Sequence, residues 1–494
     1  MDETKIAQLR NQSIPPARHF IDGAQVSASD GGTMPVTSPI DGAELTTLAR
    51  GTHKDADRAI AAARGAFDDG RWSGLAPAAR KKILLAWASL IEAHALELAV
   101  LGVRDNGTEI GMAFKAEPLS AAGTIRFYAE ACDKIFGEIA PTSPGALGLV
   151  HKQPVGVVGA IVPWNFPLMI GAWKLAPALA AGCTMVMKPA ETASLSLLRL
   201  AELGHEAGLP AGVFNVITGE GPVVGAALAQ SHDVDALVFT GSGATGRKLM
   251  EAAARSNLKR VYLELGGKSP NIVFADAPDL NEAAKVSAAG IFRNSGQVCI
   301  AGSRLLVERS IYDSFLEKFA AQAKAMRVGD PLDPATHAGA INSESQLARN
   351  LAFVDAARAA GRRVVTGGTR ILEQTGGTYM APTIVADVTQ DDPIVQNEVF
   401  GPVATVQPFD TEAEAIALAN GTTLGLAAGV WTRDLSRAHR MVARLRAGVV
   451  HVNTYGGADI TVPMGGMKQS GNGHDKSLHA FEKYLDLKTA WIKL

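Results

Sequence analysis

Two residues in this chain are of the types needed to make a thioester and then break it. Cys299 lies in Asn294-Ser-Gly-Gln-Val-Cys-Ile-Ala-Gly-Ser-Arg304, a glycine-flanked loop that follows a segment of helical spacing, Asp279 to Arg293. Glu264 stands 35 residues earlier, in Leu263-Glu-Leu-Gly-Gly-Lys-Ser-Pro270. A thiolate adds to a carbonyl carbon, and a carboxylate base activates the water that later releases the acyl group.

A second motif competes for Glu264. Gly241-Ser-Gly-Ala-Thr-Gly246 matches the GxGxxG dinucleotide fingerprint, follows a strand-like run and opens a helix. The acid about 20 residues beyond such a fingerprint ordinarily holds a ribose, and here that acid is Glu264. Two features favour the base. The motif sits mid-chain rather than in a first βαβ unit, and Gly266-Gly267 follow the acid, which suits close backbone approach more than a plain strand end. Under either reading, a glycine turn entering a helix offers N–H groups and a positive dipole end to a phosphate.

Elements must hold these groups in place. The 494 residues are 47% hydrophobic with 51 glycines, which fits a globular α/β enzyme of several domains. Helical spacing runs over Ala56–Asp69 and Pro77–Val103, and a polar Pro/Gly-containing ribbon over 136–154. The 19 positions from Val155 to Trp173 carry no charge, but Pro163 and Pro167 break a helix there, so a buried strand followed by a loop is expected. Strand-like runs at 156–162, 184–187, 213–218, 236–240 and 260–265 alternate with helices such as 194–207 and 246–256, predicting a parallel doubly wound sheet. A second alternating series runs from Asn271 to Asn453, and the tail ends in a strand-like Lys-Thr-Ala-Trp-Ile.

Net charge is −2, from 47 basic and 49 acidic residues without a long run of either sign, so nucleic acid and membrane are poor partners. Cys132, Cys183 and Cys299 form no CxxC and no metal-ligand cluster; so sparse an odd count fits a reducing cytoplasm, with Cys132 and Cys183 as buried small hydrophobes. The N-terminus lacks a signal pattern.

The Cys299 and Glu264 motifs resemble the two signatures of the aldehyde dehydrogenase superfamily, and the resemblance covers nearly the whole chain. Pro163-Trp-Asn-Phe-Pro167 resembles the loop with the oxyanion asparagine, Asn165; an uncharged amide stabilises negative charge without titrating. Lys188-Pro-Ala-Glu191 resembles the adenosine-ribose site, where the Glu191 carboxylate repels a 2′-phosphate and favours NAD over NADP. Phe239-Thr-Gly-Ser242 resembles the cofactor loop, with Gly241 and Gly246 its glycines and Gly243 incidental. Glu398-Val-Phe-Gly-Pro402 resembles the nicotinamide side, with Glu398 on the second ribose and Phe400 against the ring. By the same resemblance Val162, Pro163, Trp164, Gly221, Gly225, Ser242, Thr245 and Leu265 contact the cofactor. Pro463-Met-Gly-Gly-Met-Lys-Gln-Ser-Gly471 resembles the C-terminal motif, but Met464 and Met467 stand where relatives usually carry aromatics.

The resemblance implies a Rossmann-type NAD-binding domain (1–129 and 151–264), an α/β catalytic domain (265–475) and a small β oligomerisation region (130–150 and 476–494) of a dimer or tetramer. It implies oxidation of a small-molecule aldehyde through a Cys299 thioester, with no metal. An acid at 264 argues for water over coenzyme A as acyl acceptor, and the presence of both motif residues argues against a non-catalytic binding role. Segments 256–261, 432–440 and 469–480 look most like the γ-glutamyl-γ-aminobutyraldehyde dehydrogenase branch; a broad-specificity aldehyde dehydrogenase is the alternative. Glu117 and Asp459 are expected near the mouth of a tunnel, as acids for a substrate amine, and Phe166, Met169, Trp173, Val298, Ile300 and Tyr455 as its apolar wall.

Overall fold

The computed structural model describes residues 2–457 and 459–494. Two seven-stranded sheets organise it. In the first, the order is Arg260–Leu265, Ala236–Gly241, Val157–Ile161, Thr184–Lys188, Phe214–Val216, His19–Ile21 and Ala24–Val26, with the first five strands parallel and the last two antiparallel. Alternate residues serve opposite faces: Val158 and Ala160 join one helix-covered core, Val157 and Ile161 the other. The chain runs from Val157–Ile161 outward through Thr184–Lys188 to one side and returns to place Ala236–Gly241 on the other. The strand order therefore reverses beside Val157–Ile161, and a crevice opens at the carboxyl ends of the two neighbouring strands there.

The second sheet has the order Arg363–Thr366, Thr383–Ala386, Val403–Phe409, Arg304–Glu308, Pro270–Val273, Ala427–Trp431 and Val449–Val452, antiparallel only at its first strand. It too has two cores, with Leu305 and Val307 on one face and Leu306 on the other. Glu138–Ala140, Ala146–Pro154 and Leu485–Lys493 form a separate antiparallel sheet, so the ribbon expected at 136–154 pairs with the tail.

Two helical expectations change. Pro77–Val103 is not one helix but two, Pro77–Ala93 and Ala95–Asn106, bent by 69°. His94 leaves helical geometry (φ −100°, ψ 14°), and its ring bonds Glu97 at 2.6 Å in the first turn of the next helix. The stretch after Ile161 is a loop only as far as Phe166. Pro167 starts the helix Pro167–Ala181 instead of preventing one, because a missing N–H costs nothing at a first helical position. Among the described residues no single helix is long and apolar enough to cross a membrane.

Arg304, 1% exposed, fastens the second sheet to a helix end. Its guanidinium donates to the carbonyls of Lys268, Leu418 and Ala419, each at 2.8 Å, the last two in the final turn of Glu412–Asn420. A lysine cannot reproduce this planar fork. Arg304→Lys should therefore destabilise the protein by on the order of 3 kcal/mol through carbonyls left unpaired, lowering Tm by ~3 °C in thermal unfolding. A shift below ~1 °C would show that the fork contributes little.

Candidate active site

Cys299 follows three consecutive residues with left-handed backbone, Asn294 (φ 49°), Ser295 (φ 50°) and Gly296 (φ 70°). Such a run is costly and persists only where its surroundings hold it. Here both Glu109 carboxylate oxygens accept from the Asn294 N–H (3.1 and 3.2 Å), Thr108 Oγ1 donates to Asn294 Oδ1 (2.8 Å), and Ser295 Oγ donates to the Gly339 carbonyl (2.7 Å). Asn165, from the loop after Val157–Ile161, donates its Nδ2 to the Gln297 carbonyl at 2.9 Å. One N–H of that amide is thus spent on holding the asparagine to the cysteine loop, and the second is left to serve an oxygen near Cys299. From a third direction, a Cβ on Gly267 would come within 2.4 Å of the Cys299 carbonyl, and one on Gly266 within 2.0 Å of Glu398. The two glycines after Glu264 therefore admit neighbouring protein groups, where the sequence suggested a ligand.

Cys299 is half-buried, whereas Cys132 and Cys183 are fully buried. Burial pushes the Cys299 thiol up to about 12, with Glu398 and Glu264 acting in the same direction. It is a thiol at neutral pH in this state.

Glu264 is the last residue but one of the strand beside Ala236–Gly241, 7% exposed, and its Oε1 has no hydrogen-bond partner in the protein. Burial raises its pKa well above the usual carboxylate value and Asp475 pushes it further, against Lys174 and Lys483. Those three form a buried triad. Lys174 Nζ lies 2.9 Å from Asp475 Oδ2, and Lys483 donates to Asp475 Oδ1; Lys174 and Asp475 are each 1% exposed. Burial opposes the charge of Asp475, but the two ammonium groups outweigh it and hold its pKa at about 2. The sequence reading passed over this triad. Lys174, a lone charge in an apolar helix, was the available signal.

The crevice at the strand reversal gathers the dinucleotide candidates. Val162, Pro163 and Trp164 leave Val157–Ile161, and Phe239 and Gly241 end the neighbouring strand. Lys188, 3% exposed, ends the next strand and pairs with Glu191 at 2.9 Å. Glu191 Oε1 also accepts the Gly221 N–H at 2.7 Å, at the start of the turn Gly221–Gly225. Ser242 caps the helix Gly243–Arg255 through the Thr245 N–H. Gly246 packs on Leu265 and Leu263, whereas a side chain at Gly243 would meet only the tip of Arg247. Across the crevice Glu398 accepts the Gly267 N–H at 2.9 Å, and Phe400 meets Trp164 edge-on at 5.2 Å. The buried Thr240 hydroxyl, which lacks a hydrogen-bond partner in the protein, lies on the strand that ends at this crevice. A phosphate-bearing, ribose-bearing ligand fits this donor and acceptor set.

A cavity of about 600 Å³ reaches Cys299, and Phe166, Met169, Trp173, Val298, Ile300 and Tyr455 all line it. Met464 lines it as well, whereas Met467 is 46% exposed and pairs with Gly425. The two acids expected at its mouth are not in its wall. Glu117 sits in a wide π-helical turn, Lys115–Leu119, with its carboxylate turned inward, 4% exposed, to accept the N–H groups of Leu168 (2.6 Å) and Met169 (3.2 Å) at a helix N-terminus. Burial raises its pKa to about 8, despite those bonds, so it is no counter-ion for an amine at neutral pH. Asp459 is exposed and accepts from the Thr461 N–H and hydroxyl. The charged wall residues are instead Arg293 and Lys476, with His451 nearby, and none of these was singled out from the sequence.

Residues 26–490 match the model of the aldehyde dehydrogenase family. The chain is 50% identical over 477 residues to the Escherichia coli (strain K12) NADP/NAD-dependent aldehyde dehydrogenase PuuC, covering 97% of this chain and 96% of that one. It superposes at TM-score 0.97, with 50% identity and full coverage of both chains, on a γ-glutamyl-γ-aminobutyraldehyde dehydrogenase from Burkholderia cenocepacia J2315. At TM-score 0.98, again with 50% identity and full coverage of both, it matches the P. syringae indole-3-acetaldehyde dehydrogenase AldA, solved with NAD+ and IAA. The chain belongs to the aldehyde dehydrogenase family, and it is an NAD-dependent aldehyde dehydrogenase.

Proposed function

We propose that the enzyme oxidises an extended aldehyde of the γ-glutamyl-γ-aminobutyraldehyde or ω-aminoaldehyde type to its acid, through a thioester on Cys299. The observation that carries the reading is the Asn165 amide fixed at 2.9 Å to the loop of Cys299, which lines a cavity of about 600 Å³. The Cys299 thiol gives up its proton to water, its sulfur adds to the aldehyde carbon, and the second N–H of the Asn165 amide stabilises the oxyanion. Bound NAD supplies the hydride acceptor. Glu264, an acid with an orphaned oxygen among buried cations, takes a proton from the water that hydrolyses the thioester. Lys174 and Lys483 favour its ionised form and so its action as a base.

For the cofactor, Lys188 and Glu191 serve the adenosine ribose and Glu398 the other. The Glu191 carboxylate disfavours the additional phosphate of NADP. Residues 1–129 with 151–264 then form the cofactor domain and 265–475 the catalytic domain. Free thiols at Cys132 and Cys183 suit a reducing cytoplasm. The names of the B. cenocepacia enzyme and of AldA point to different aldehydes at equal identity, so a broad specificity is the second reading.

The sheet of 138–140, 146–154 and 485–493, within the region 130–150 and 476–494, is proposed to pair subunits. Leu487 (70% exposed) and Trp491 (66%) stand on one face of it, and Ile139 (75%), in register with Leu149, on the other. So much uncovered apolar surface calls for a second copy of the chain. Leu487→Glu with Trp491→Glu should lower the mass of the assembly in light scattering, and an unchanged mass would contradict the assignment.

A thiol held near 12 makes a further demand. In the cofactor-free enzyme, alkylation of Cys299 by iodoacetamide should keep rising by about tenfold per pH unit from pH ~7 to ~9, because the thiolate fraction does. A plateau near pH ~8.5, the behaviour of an ordinary thiol, would contradict the burial effect.

A further inference from the structure

We infer that the segment from Asn106 to Glu117 is a brace that fixes the Asn165 amide relative to Cys299, with Glu117 as the positioning residue on the Asn165 side. The inference rests on the reading of Asn165 as the oxyanion donor and adds what keeps that donor in place.

The segment leaves the helix Ala95–Asn106 at the left-handed Gly107 (φ 84°) and runs through Ile110–Phe114 into the turn Lys115–Leu119. On one side it is tied to the chain that backs the cysteine loop. The Ile110 N–H donates to the Pro331 carbonyl at 2.7 Å, and the Gly107 carbonyl accepts the Ala340 N–H at 3.0 Å. The carbonyls of Gly339 and Ala340 accept in turn from Ser295 Oγ (2.7 Å) and Gln297 Nε2 (3.3 Å). Thr108 and Glu109 hold Asn294 directly. On the other side the segment is tied to the loop of Asn165. Asn106 Nδ2 donates to the Trp164 carbonyl at 3.3 Å, and Glu117 accepts from Leu168 and Met169. One short stretch thus grips both partners of the Asn165–Gln297 bond.

The helix Pro167–Ala181 begins two residues after Asn165, and Phe166 at its N-cap supplies no side-chain acceptor. Pro167 has no N–H, so Leu168 and Met169 carry donors left open in the first turn. A single oxygen of Glu117, Oε2, accepts both. Without it these N–H groups must find other acceptors, and the turn that follows Asn165 moves with them. An oxyanion donor works only where it meets the developing charge, so a small displacement costs rate and leaves affinity alone. Glu117 is 4% exposed and does not line the cavity, so its influence on the reaction passes through the backbone.

The test is a double-mutant cycle read in the first turnover. Stopped-flow NADH formation is followed after mixing NAD-saturated enzyme with propanal, for the wild type, Glu117→Leu, Asn165→Ala and the double variant. Glu117→Leu should slow the first turnover by about tenfold or more. Its affinities for propanal and NAD should change by less than about threefold. Glu117→Gln keeps a carbonyl oxygen for the two N–H groups, and should recover to within about threefold of the wild-type rate. In the Asn165→Ala background Glu117→Leu should cost less than about twofold, because the donor it positions is gone. A further tenfold loss in that background, or a Gln variant as slow as the Leu variant, overturns the inference. Should Glu117→Leu fail to fold, the near-isosteric Thr108→Val carries the same cycle with an expected loss of about fivefold, and an unchanged rate there overturns the brace. A first turnover in Asn165→Ala within about twofold of wild type would reject the oxyanion reading and the brace with it. A slow Asn165→Ala beside a fast Glu117→Leu would reject the brace alone.

Discussion

The hydrogen bond from Asn165 Nδ2 to the Gln297 carbonyl is the constraint on which the site depends. Asn165 belongs to the loop leaving a strand of the first sheet, and Gln297 to the loop two residues before Cys299, which leads into the second. Two sheets built on separate cores must therefore be positioned to within a few tenths of an ångström for this bond to form. The same junction carries Asn294 Nδ2 to the Asn165 carbonyl, Asn106 Nδ2 to the Trp164 carbonyl, and the approach of Gly267 to the Cys299 carbonyl. The left-handed run at 294–296 turns the cysteine into this junction, and the buried Glu109 carboxylate holds the run there.

A second constraint is electrostatic. Cys299 and Glu264 are both driven toward their neutral forms by burial, which disarms a nucleophile and a base alike. The answer the chain offers for Glu264 is a buried Lys174–Asp475–Lys483 triad with one cation in excess. A lone buried ammonium would be expensive, whereas a paired one next to an acid gives that acid a reason to ionise. Placing these cations behind Glu264 works against the burial that would keep it neutral.

Much of this was legible in the sequence. Short apolar runs such as 157–161 are local signals, and the five parallel strands of the first sheet lie within a residue or two of where they were expected. Local signals failed where tertiary contacts decide. His94 breaks a continuous apolar pattern because its ring turns to Glu97, and Pro167 begins a helix because Glu117 caps its first turn from 50 residues away. For the same reason Glu117 was misplaced. Nothing in its neighbours in sequence reveals that its carboxylate points at another helix. Lys483 lies in the tail beyond the 463–471 motif, but its role depends on which acid the tail is folded against.

The central claim is that Glu264 frees an acyl group from Cys299 and does not hold a ribose. Intact-mass analysis of Glu264→Gln after mixing with NAD and aldehyde tests it most directly. The account predicts an acyl adduct on Cys299, no more than one equivalent of NADH per site, and unchanged NAD affinity. Collapse of NAD affinity with no adduct would contradict it and return Glu264 to the dinucleotide fingerprint.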